Sequence, residues 1–219
     1  MSIIQTLTIN GHQASTELCH LGEKTDKSPY CIWQHYHRHC YTPIYSLLFG
    51  SGRSKQNPCK VFCEIGVAGG ESIAMWRKYY DETATFIVGM DSCMGFLDAL
   101  QKRELSNVLG VHVDVTNRNY LIEQIGSIDR KFDIVLDDSD HNMDSQKNIL
   151  EAFLPYMSPG GRIIIEDVER RMTAAIYESF LGAELLSQFE SVFYINVEHD
   201  NRFSGDYNND ALLIFTVKN

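Results

Sequence analysis

From residue 60 onward, short apolar runs alternate with longer segments of helical periodicity, and few residues remain for loops. The clearest runs, residues 134–136 and 163–165, are rich in β-branched side chains and are bounded by turn-forming residues. This is the pattern of strands that are buried on both faces of a parallel sheet. Strands separated by single helices are joined by right-handed crossovers, so the pattern predicts an α/β fold with a doubly wound, mostly parallel sheet.

The predicted strands lie near 61–65, 86–90, 109–113, 132–137 and 161–166, and the predicted helices near 70–80, 94–103, 117–125, 142–156 and 170–182. Two further strand-like runs, 189–197 and 211–217, are joined by a polar loop without room for a crossover helix. Neighbouring strands joined in this way pair antiparallel. The expected fold is therefore a Rossmann-like sheet that ends in an antiparallel hairpin.

The N-terminal residues 1–57 show no strand alternation before Tyr41 and are expected to form a helical appendage. Apolar residues at 44, 47 and 48, after Pro43, predict a helix that ends before Gly50. The expected division is an appendage at 1–57 and a main domain at 58–219. Two interpretations stay open for the aromatic and histidine residues of the appendage: they form a lid over the acceptor-binding site of the main domain, or they pack in the interior. These residues are Tyr30, Trp33, His35, Tyr36, His37, His39, Tyr41 and Tyr45.

Composition excludes several classes of function. The net charge of −10 over 219 residues argues against broad contact with nucleic acid or an anionic membrane. No apolar run approaches the ~18 residues of a transmembrane helix, and no signal-peptide pattern is present, so a cytoplasmic location is expected. The six cysteines form no CxxC pair and are expected to be free thiols. The spacings of Cys31, His35, His37, His39 and Cys40 do not match a structural zinc motif.

Acidic residues follow both of the clearest runs, as D-D-S-D-H at 137–141 and E-D at 166–167. Ligands of open α/β sheets bind beyond the carboxyl ends of the strands. Carboxylates gathered there repel one another unless a cation lies between them, and Mg²⁺ prefers oxygen ligands. His141 adds a titratable base three residues after Asp138. The pattern predicts a metal-assisted active site.

Helix capping is the alternative explanation for these acids. Asp138 and Asp140 would cap a helix that begins near Asn142, and Glu166 with Asp167 would cap the next helix. Capping accounts for individual acids, but it does not explain why both clusters follow adjacent strands at the ligand-binding edge. We therefore favour the metal site.

A glycine turn follows the first main-domain strand, with Glu64 before a G-x-x-G-G sequence that begins at Gly66. This spacing differs from the G-x-G-x-x-G of dinucleotide binding, and the carboxylate favours a cationic ligand over a pyrophosphate. Asp91 ends the second strand, where an acid commonly holds ribose hydroxyls. Asp114 ends the third strand and is placed to accept from an adenine amino group. Each acid also has an interpretation as a helix cap.

Together these features resemble a class I S-adenosylmethionine-dependent methyltransferase over roughly residues 60–219, including the terminal hairpin. The resemblance implies that Glu64, Gly66 and Gly69 flank the methionine moiety of the cofactor, that Asp91 binds the ribose and that Asp114 lies near the adenine. Ser92 and Asp137 complete the expected cofactor-binding set.

A narrower resemblance is to the metal-dependent sugar O-methyltransferases of macrolide biosynthesis, which carry D-D-G-S-H and E-D at the two acidic positions. T-D-K at 25–27 and H-x-Y-x-x-x-Y from His39 also resemble their N-terminal half. The D-S-D-H form is similar to cephalosporin hydroxylase-like proteins. The resemblance implies that Asp138, Glu166 and Asp167 bind Mg²⁺ and that His141 is the general base. Ser139 and Asp140 depart from the pattern and add a carboxylate near the metal.

The expected function is Mg²⁺-dependent transfer of the methyl group of S-adenosylmethionine to a hydroxyl of a small oxygen-rich molecule, a sugar or glycosylated natural product. The expected partner is this small-molecule acceptor, and no binding to nucleic acid or membrane is expected. The sequence does not decide whether the chain forms a homo-oligomer. Two alternatives remain: a metal-dependent hydrolase, which leaves the glycine turn unexplained, and a non-catalytic S-adenosylmethionine-binding protein.

Overall fold

A computed structural model describes residues 3–11, 15–33, 38–50, 59–198 and 210–219. The strands are β1 Ile4–Asn10, β2 Val61–Ile65, β3 Phe86–Asp91, β4 Val108–His112, β5 Phe132–Asp137, β6 Met157–Val168, β7 Phe189–Glu198 and β8 Ala211–Val217. The helices are α1 Glu17–Leu21, α2 Thr42–Phe49, α3 Glu71–Tyr79, α4 Met94–Gln101, α5 Arg118–Ser127, α6 Met143–Phe153 and α7 Ala174–Leu186.

The strands form one eight-stranded sheet in the order β1-β7-β8-β6-β5-β2-β3-β4. The five strands that are adjacent in the order β6-β5-β2-β3-β4 all run parallel to one another. Strand β8 runs antiparallel to both of its neighbours, β6 and β7. The predicted fold class, a mostly parallel sheet ending in an antiparallel hairpin, is confirmed. The order reverses beside β2, which places the β2 and β5 turns side by side at the ligand-binding edge.

Strand β1 was not predicted, and the N-terminal residues, expected as a helical appendage, contain this strand as well as helices α1 and α2. β1 pairs in parallel with β7, from Ile4 opposite Val192 to Asn10 opposite Glu198. The strand lies at the sheet edge, where only Ile4 is buried and the following residues are mostly exposed. An edge strand without a buried face lacks the alternation by which strands are predicted. The predicted second helix is present as α2 and ends before Gly50.

Each face of the sheet is covered by a separate apolar cluster. Helices α5, α6 and α7 cover one face, and α1 to α4 cover the other. The second cluster joins the N-terminal helices to the sheet, because the Trp76 ring lies 5.7 Å from the Tyr45 ring and 4.7 Å from the Phe62 ring. The predicted domain division at 57/58 stays a prediction, since residues 51–58 lie outside the described ranges.

All six cysteines are free thiols, as predicted. Within the described ranges, every helix is too short or too polar to cross a bilayer. His35, Tyr36 and His37 lie outside the described residues, so nothing is said of a lid or of zinc binding by these three residues. Tyr41 and Tyr45 belong to the core, because both are fully buried.

Candidate active site

The turns after β2 and β5 are packed backbone to backbone. Gly66 adopts φ +88°, and a Cβ atom there would lie 1.9 Å from the carbonyl oxygen of Asp138. The Asp138 amide in turn donates to the Ile65 carbonyl at 2.9 Å. Only glycine meets both requirements, a left-handed backbone and the missing Cβ. The glycine predicted as a cofactor-facing residue therefore also sets the position of Asp138.

A cavity of about 460 Å³ opens at this edge of the sheet. The predicted site residues that line it are Gly66, Asp91, Ser92, Asp114, Asp138, His141 and Asp167. The predicted site residues that do not line it are Glu64, Gly69, Asp137 and Glu166. Sequence reasoning missed Phe96, an exposed ring on α4 that also lines the cavity. An aromatic residue on the polar side of a helix carries no signal that separates it from ordinary surface.

Three side chains converge inside the cavity. Asp138, His141 and Asp167 each offer one ligand atom, and these atoms lie within 4.8 Å of one another. Nε2 of His141 lies 3.4 Å from Oδ1 of Asp138 and 3.8 Å from Oδ2 of Asp167. His141 and Asp167 both have left-handed backbones, with φ of +57° and +54°. Such conformations are costly for non-glycine residues and concentrate at functional sites.

The donor set fits a hard divalent cation. The carboxylate oxygens of Asp138 and Asp167 face the same space and are the ligand type that Mg²⁺ prefers. Burial raises the pKa of Asp167, and the neighbouring charge of Asp138 raises it further, whereas His39 lowers it. Like charges in a half-enclosed space are relieved by a bound cation. The imidazole is the less typical ligand of Mg²⁺ and is suited to a base.

Glu166 occupies a different position from the one predicted. Its side chain is 1% exposed, and both carboxylate oxygens accept hydrogen bonds. The Tyr45 hydroxyl donates to Oε1 and the Lys27 ammonium donates to Oε2. It lines no part of the cavity that holds the other two acids. Its predicted role as a metal ligand stays a prediction.

Lys27 lies among the carboxylates where a cation was expected. Its buried ammonium is 2.6 Å from Oδ2 of Asp138, contacts Glu166 and lies 3.5 Å from Oε1 of Glu64. Burial alone would lower the pKa of Lys27, but Asp138, Glu166 and Glu64 raise it well above its usual range. Burial raises the pKa of Glu64 to about 7, against the opposing effect of Lys27. The lysine is therefore a charged, structural cation of the site.

Tyr41 and His39 hold Asp167 from the N-terminal side. The Tyr41 hydroxyl donates to Oδ1 of Asp167 at 2.9 Å. Nδ1 of His39 lies 3.4 Å from the same oxygen and 3.3 Å from Oδ1 of Asp210. Burial acts to lower the pKa of His39, but Asp167 and Asp210 raise it to about 9. The H-x-Y-x-x-x-Y spacing was the one sequence signal for this arrangement, because tyrosines four residues apart, at the N-cap and in the first turn of α2, project from the same side.

Asp91 and Asp114 sit at the other end of the cavity and differ in their bonding. The Asp91 carboxylate accepts from the amides of Val67 at 3.0 Å, Ala68 at 3.2 Å and Cys93 at 2.8 Å, so it fixes the glycine turn against β3. The Asp114 carboxylate accepts from the hydroxyl and amide of Thr116, which lowers its pKa. Neither acid is the N-cap of the helix that follows it.

The N-cap of α6 is Asn142, so neither Asp138 nor Asp140 caps that helix, although Asp140 is bonded to its first turn. The Asp140 carboxylate accepts from the Asn142 amide at 3.0 Å and from the Ser145 hydroxyl at 2.7 Å, at the start of α6. Asp137 turns back on its own loop, accepting from the amide and hydroxyl of Ser139, and burial raises its pKa to about 7. The N-cap of α7 is Thr173, so the E-D pair does not cap that helix.

The fold and the acidic cavity agree with the resemblance to class I S-adenosylmethionine-dependent methyltransferases. Residues 63–168 match the family model described as a methyltransferase domain. The expected resemblance to this class and to its sugar O-methyltransferases is confirmed by this match and by the relatives that follow.

One relative is the 8-demethyl-8-(2-methoxy-α-L-rhamnosyl)-tetracenomycin-C 3′-O-methyltransferase of Streptomyces olivaceus. It is 28% identical to this chain over 137 residues, and the alignment covers 59% of this chain and 32% of that protein. The mycinamicin VI 2″-O-methyltransferase of Micromonospora griseorubida is 30% identical over 137 residues, with the same two coverages of 59% and 32%. The match spans about a third of the length of these curated relatives.

A similar solved structure is the methyltransferase MycE of the mycinamycin pathway, in complex with Mg, SAH and mycinamycin VI. Its TM-score is 0.64 at 19% identity, over 93% of this chain and 55% of that one. At this identity the likeness concerns the fold.

Proposed function

We propose that this chain is a Mg²⁺-dependent O-methyltransferase that transfers the methyl group of S-adenosylmethionine to a hydroxyl of a neutral, oxygen-rich small molecule. The observation that carries the proposal is the convergence of Asp138, His141 and Asp167 in one cavity with the glycine turn and Asp91. One cavity thus holds candidates for binding the metal, the methyl donor and the acceptor.

The methyl donor is proposed to bind along the β2–β4 side of the cavity. Asp91 and Ser92 face the ribose there, Asp114 lies at the adenine end, and Gly66 and Gly69 belong to the turn beside the methionine moiety. Gly69 is exposed, and a Cβ atom there would meet nothing within 4 Å, so its backbone is open to a ligand. Asp137 and Glu64 support these turns from within, because both are buried.

Asp138 and Asp167 are the carboxylates proposed to hold Mg²⁺, since both face the cavity. When bound there, a divalent ion lowers the pKa of a coordinated hydroxyl and fixes the position of its oxygen. Two protein carboxylates leave room for oxygens of the acceptor, which favours a vicinal diol or a hydroxyl beside a carbonyl.

His141 is the proposed general base. Its Nε2 atom faces the two aspartates, so a hydroxyl bound beside them lies within reach of the imidazole. In the proposed reaction the carbon–sulfur bond of the donor breaks as the new oxygen–carbon bond forms, and the hydroxyl proton passes to His141. The hydrogen bond to Asp138 raises the pKa of His141 and stabilises the imidazolium that results.

The charges of the cavity support an acceptor without anionic groups. Asp26, Asp138, Asp140 and Asp167 line the region around the proposed metal, and the described lining residues include no lysine or arginine. A phosphorylated or carboxylated acceptor would be repelled here. Sugars and glycosides meet the requirement, and the two relatives are named as O-methyltransferases of a rhamnosyl tetracenomycin-C and of mycinamicin VI.

The experiment is methyl transfer from deuterated S-adenosylmethionine to a panel of neutral glycosides, detected by mass spectrometry in Mg²⁺ and in EDTA. We expect deuteriomethyl product in Mg²⁺ and none in EDTA. Asp138→Asn is expected to abolish this product. Asp140→Asn is the matched control on the same loop and should retain it, because that carboxylate is bonded to the start of α6. Equal turnover in EDTA and Mg²⁺ would remove the metal from the proposal.

A further inference from the structure

The two oxygens of the Asp138 carboxylate face different nitrogen groups. Oδ1 lies 3.4 Å from Nε2 of His141, on the cavity side. Oδ2 lies 2.6 Å from Nζ of Lys27, on the buried side. Asp138 therefore divides the acidic cluster into a half that opens on the cavity and a half that is closed by the protein.

Lys27 supplies a positive charge to the closed half. Lys27 has three ammonium donors, and they face the carboxylates of Asp138, Glu166 and Glu64. Both oxygens of Glu166 are bonded within the closed half, one to Tyr45 and one to Lys27, and Glu166 does not line the cavity. Removing the Lys27 ammonium would leave buried carboxylates without a cation, which is strongly unfavourable.

The lysine is held in this position by its backbone. The Thr42 amide at the start of α2 donates to the Lys27 carbonyl at 3.0 Å, and the neighbouring Ser28 hydroxyl donates to the Cys19 carbonyl at 2.6 Å. The first bond joins the 15–33 segment to α2, which packs on the sheet, and the second bond lies within the segment. The ammonium is thus delivered to the cluster as a fixed part of the fold.

We propose that the Lys27 ammonium takes the place of a second metal ion, so that one divalent ion binds between Asp138 and Asp167 and Glu166 is a positioning residue rather than a ligand. Lys27 acts through Asp138, whose cavity-facing oxygen it holds in place. This inference rests on the proposed magnesium site and revises the ligand set expected from the sequence.

The test is titration of Mn²⁺, which shares the oxygen preference of Mg²⁺, followed by electron paramagnetic resonance of the free ion. The wild-type chain is expected to bind one ion. Glu166→Gln keeps a hydrogen-bonding group toward Tyr45 and Lys27, and should bind one ion with affinity within about threefold of wild type. Asp167→Asn should bind at least about 30-fold more weakly, since a carboxylate ligand is lost. Lys27→Met should bind a second ion, and Lys24→Met, an exposed lysine of the same segment, should behave as wild type.

Each outcome decides one claim. If Glu166→Gln weakens binding as much as Asp167→Asn, Glu166 is a ligand and the inference is overturned while the metal site stands. One ion per folded Lys27→Met chain would equally contradict the substitution of Lys27 for a metal. If Lys27→Met does not fold, the Glu166→Gln comparison still decides. A wild-type chain that binds no ion would overturn both this inference and the metal dependence of the proposed function.

Discussion

The hydroxyl of Tyr41 donates a 2.9 Å hydrogen bond to Oδ1 of Asp167, 126 residues later in the chain. The Asp167 amide donates back to the same hydroxyl at 3.3 Å. The N-terminal segment therefore holds a proposed metal ligand through both its side chain and its backbone. It is a structural part of the site, in addition to any role in covering it.

Replacement of Tyr41 by phenylalanine tests this relationship. Loss of the hydroxyl should lower the free energy of unfolding by about 1–3 kcal/mol, because a buried carboxylate loses a hydrogen bond. It should also weaken Mg²⁺ binding, since Asp167 is no longer held. Tyr45→Phe is the matched comparison, because that hydroxyl bonds Glu166 instead. Calorimetric titration of Mg²⁺ should find the Tyr41 variant weaker than the Tyr45 variant, and the reverse order would contradict this assignment.

Replacement of His141 by glutamine removes the proposed base. We expect kcat to fall by about 10²–10⁴-fold, the usual contribution of a positioned general base. Affinity for S-adenosylhomocysteine should stay unchanged, because His141 lies at the metal end of the cavity. His20→Gln alters an exposed ring on α1 and serves as the control. A variant that turns over at the wild-type rate would exclude His141 as the base.

The pH dependence of stability should report the pairing of His39 with Asp167 and Asp210. Its pKa is raised from 6.5 to about 9 in the folded chain. A raised pKa contributes stability that is fully present below pH ~6.5 and is lost as the pH rises through ~9. The difference in unfolding free energy between wild type and His39→Gln should therefore shrink by up to about 3 kcal/mol between pH 6 and pH 10. Urea denaturation in EDTA measures it, and a difference independent of pH would contradict the pairing.

Two glycines of one turn should differ strongly in how far alanine destabilises the chain. Gly66→Ala forces a Cβ against the Asp138 carbonyl at φ +88° and should destabilise the chain by about 3 kcal/mol or more. Gly69→Ala meets no neighbouring atom and should change stability by about 1 kcal/mol or less. Thermal unfolding of the two variants is the measurement. Equal stabilities would show that the turn relaxes around the new methyl group.

The sheet was predictable because its central strands carry their own signal. β2, β3, β5 and the β7–β8 hairpin agree closely with the predicted ranges, since buried apolar runs between turn residues specify strands locally. β1 was missed because an edge strand with little burial has no such pattern. Helix α7 begins at Ala174 instead of near 170, after a turn that apolar periodicity does not mark.

The sequence predicted where the site residues lie in the fold better than it predicted which groups their side chains contact. Adjacent strand ends place Asp138 and Asp167 together, and the backbone topology alone requires it. The orientation of each carboxylate depends on groups far away in sequence, such as Lys27 for Glu166. Sequence spacing carries no information on which of two neighbouring acids meets a distant lysine. Asp140 shows the same limit, since its bonds to α6 decide its orientation.

The most direct test of the central claim is calorimetric titration of S-adenosylmethionine into the purified chain, first with Mg²⁺ and then with EDTA. The account predicts binding of one molecule per chain in the micromolar range, with an affinity or heat that differs between the two buffers. Replacement of Asp91 by alanine should weaken this binding, and Asp98→Ala, an exposed acid on α4, should not. Absence of binding in both buffers would contradict the assignment of the cavity to a methyl donor.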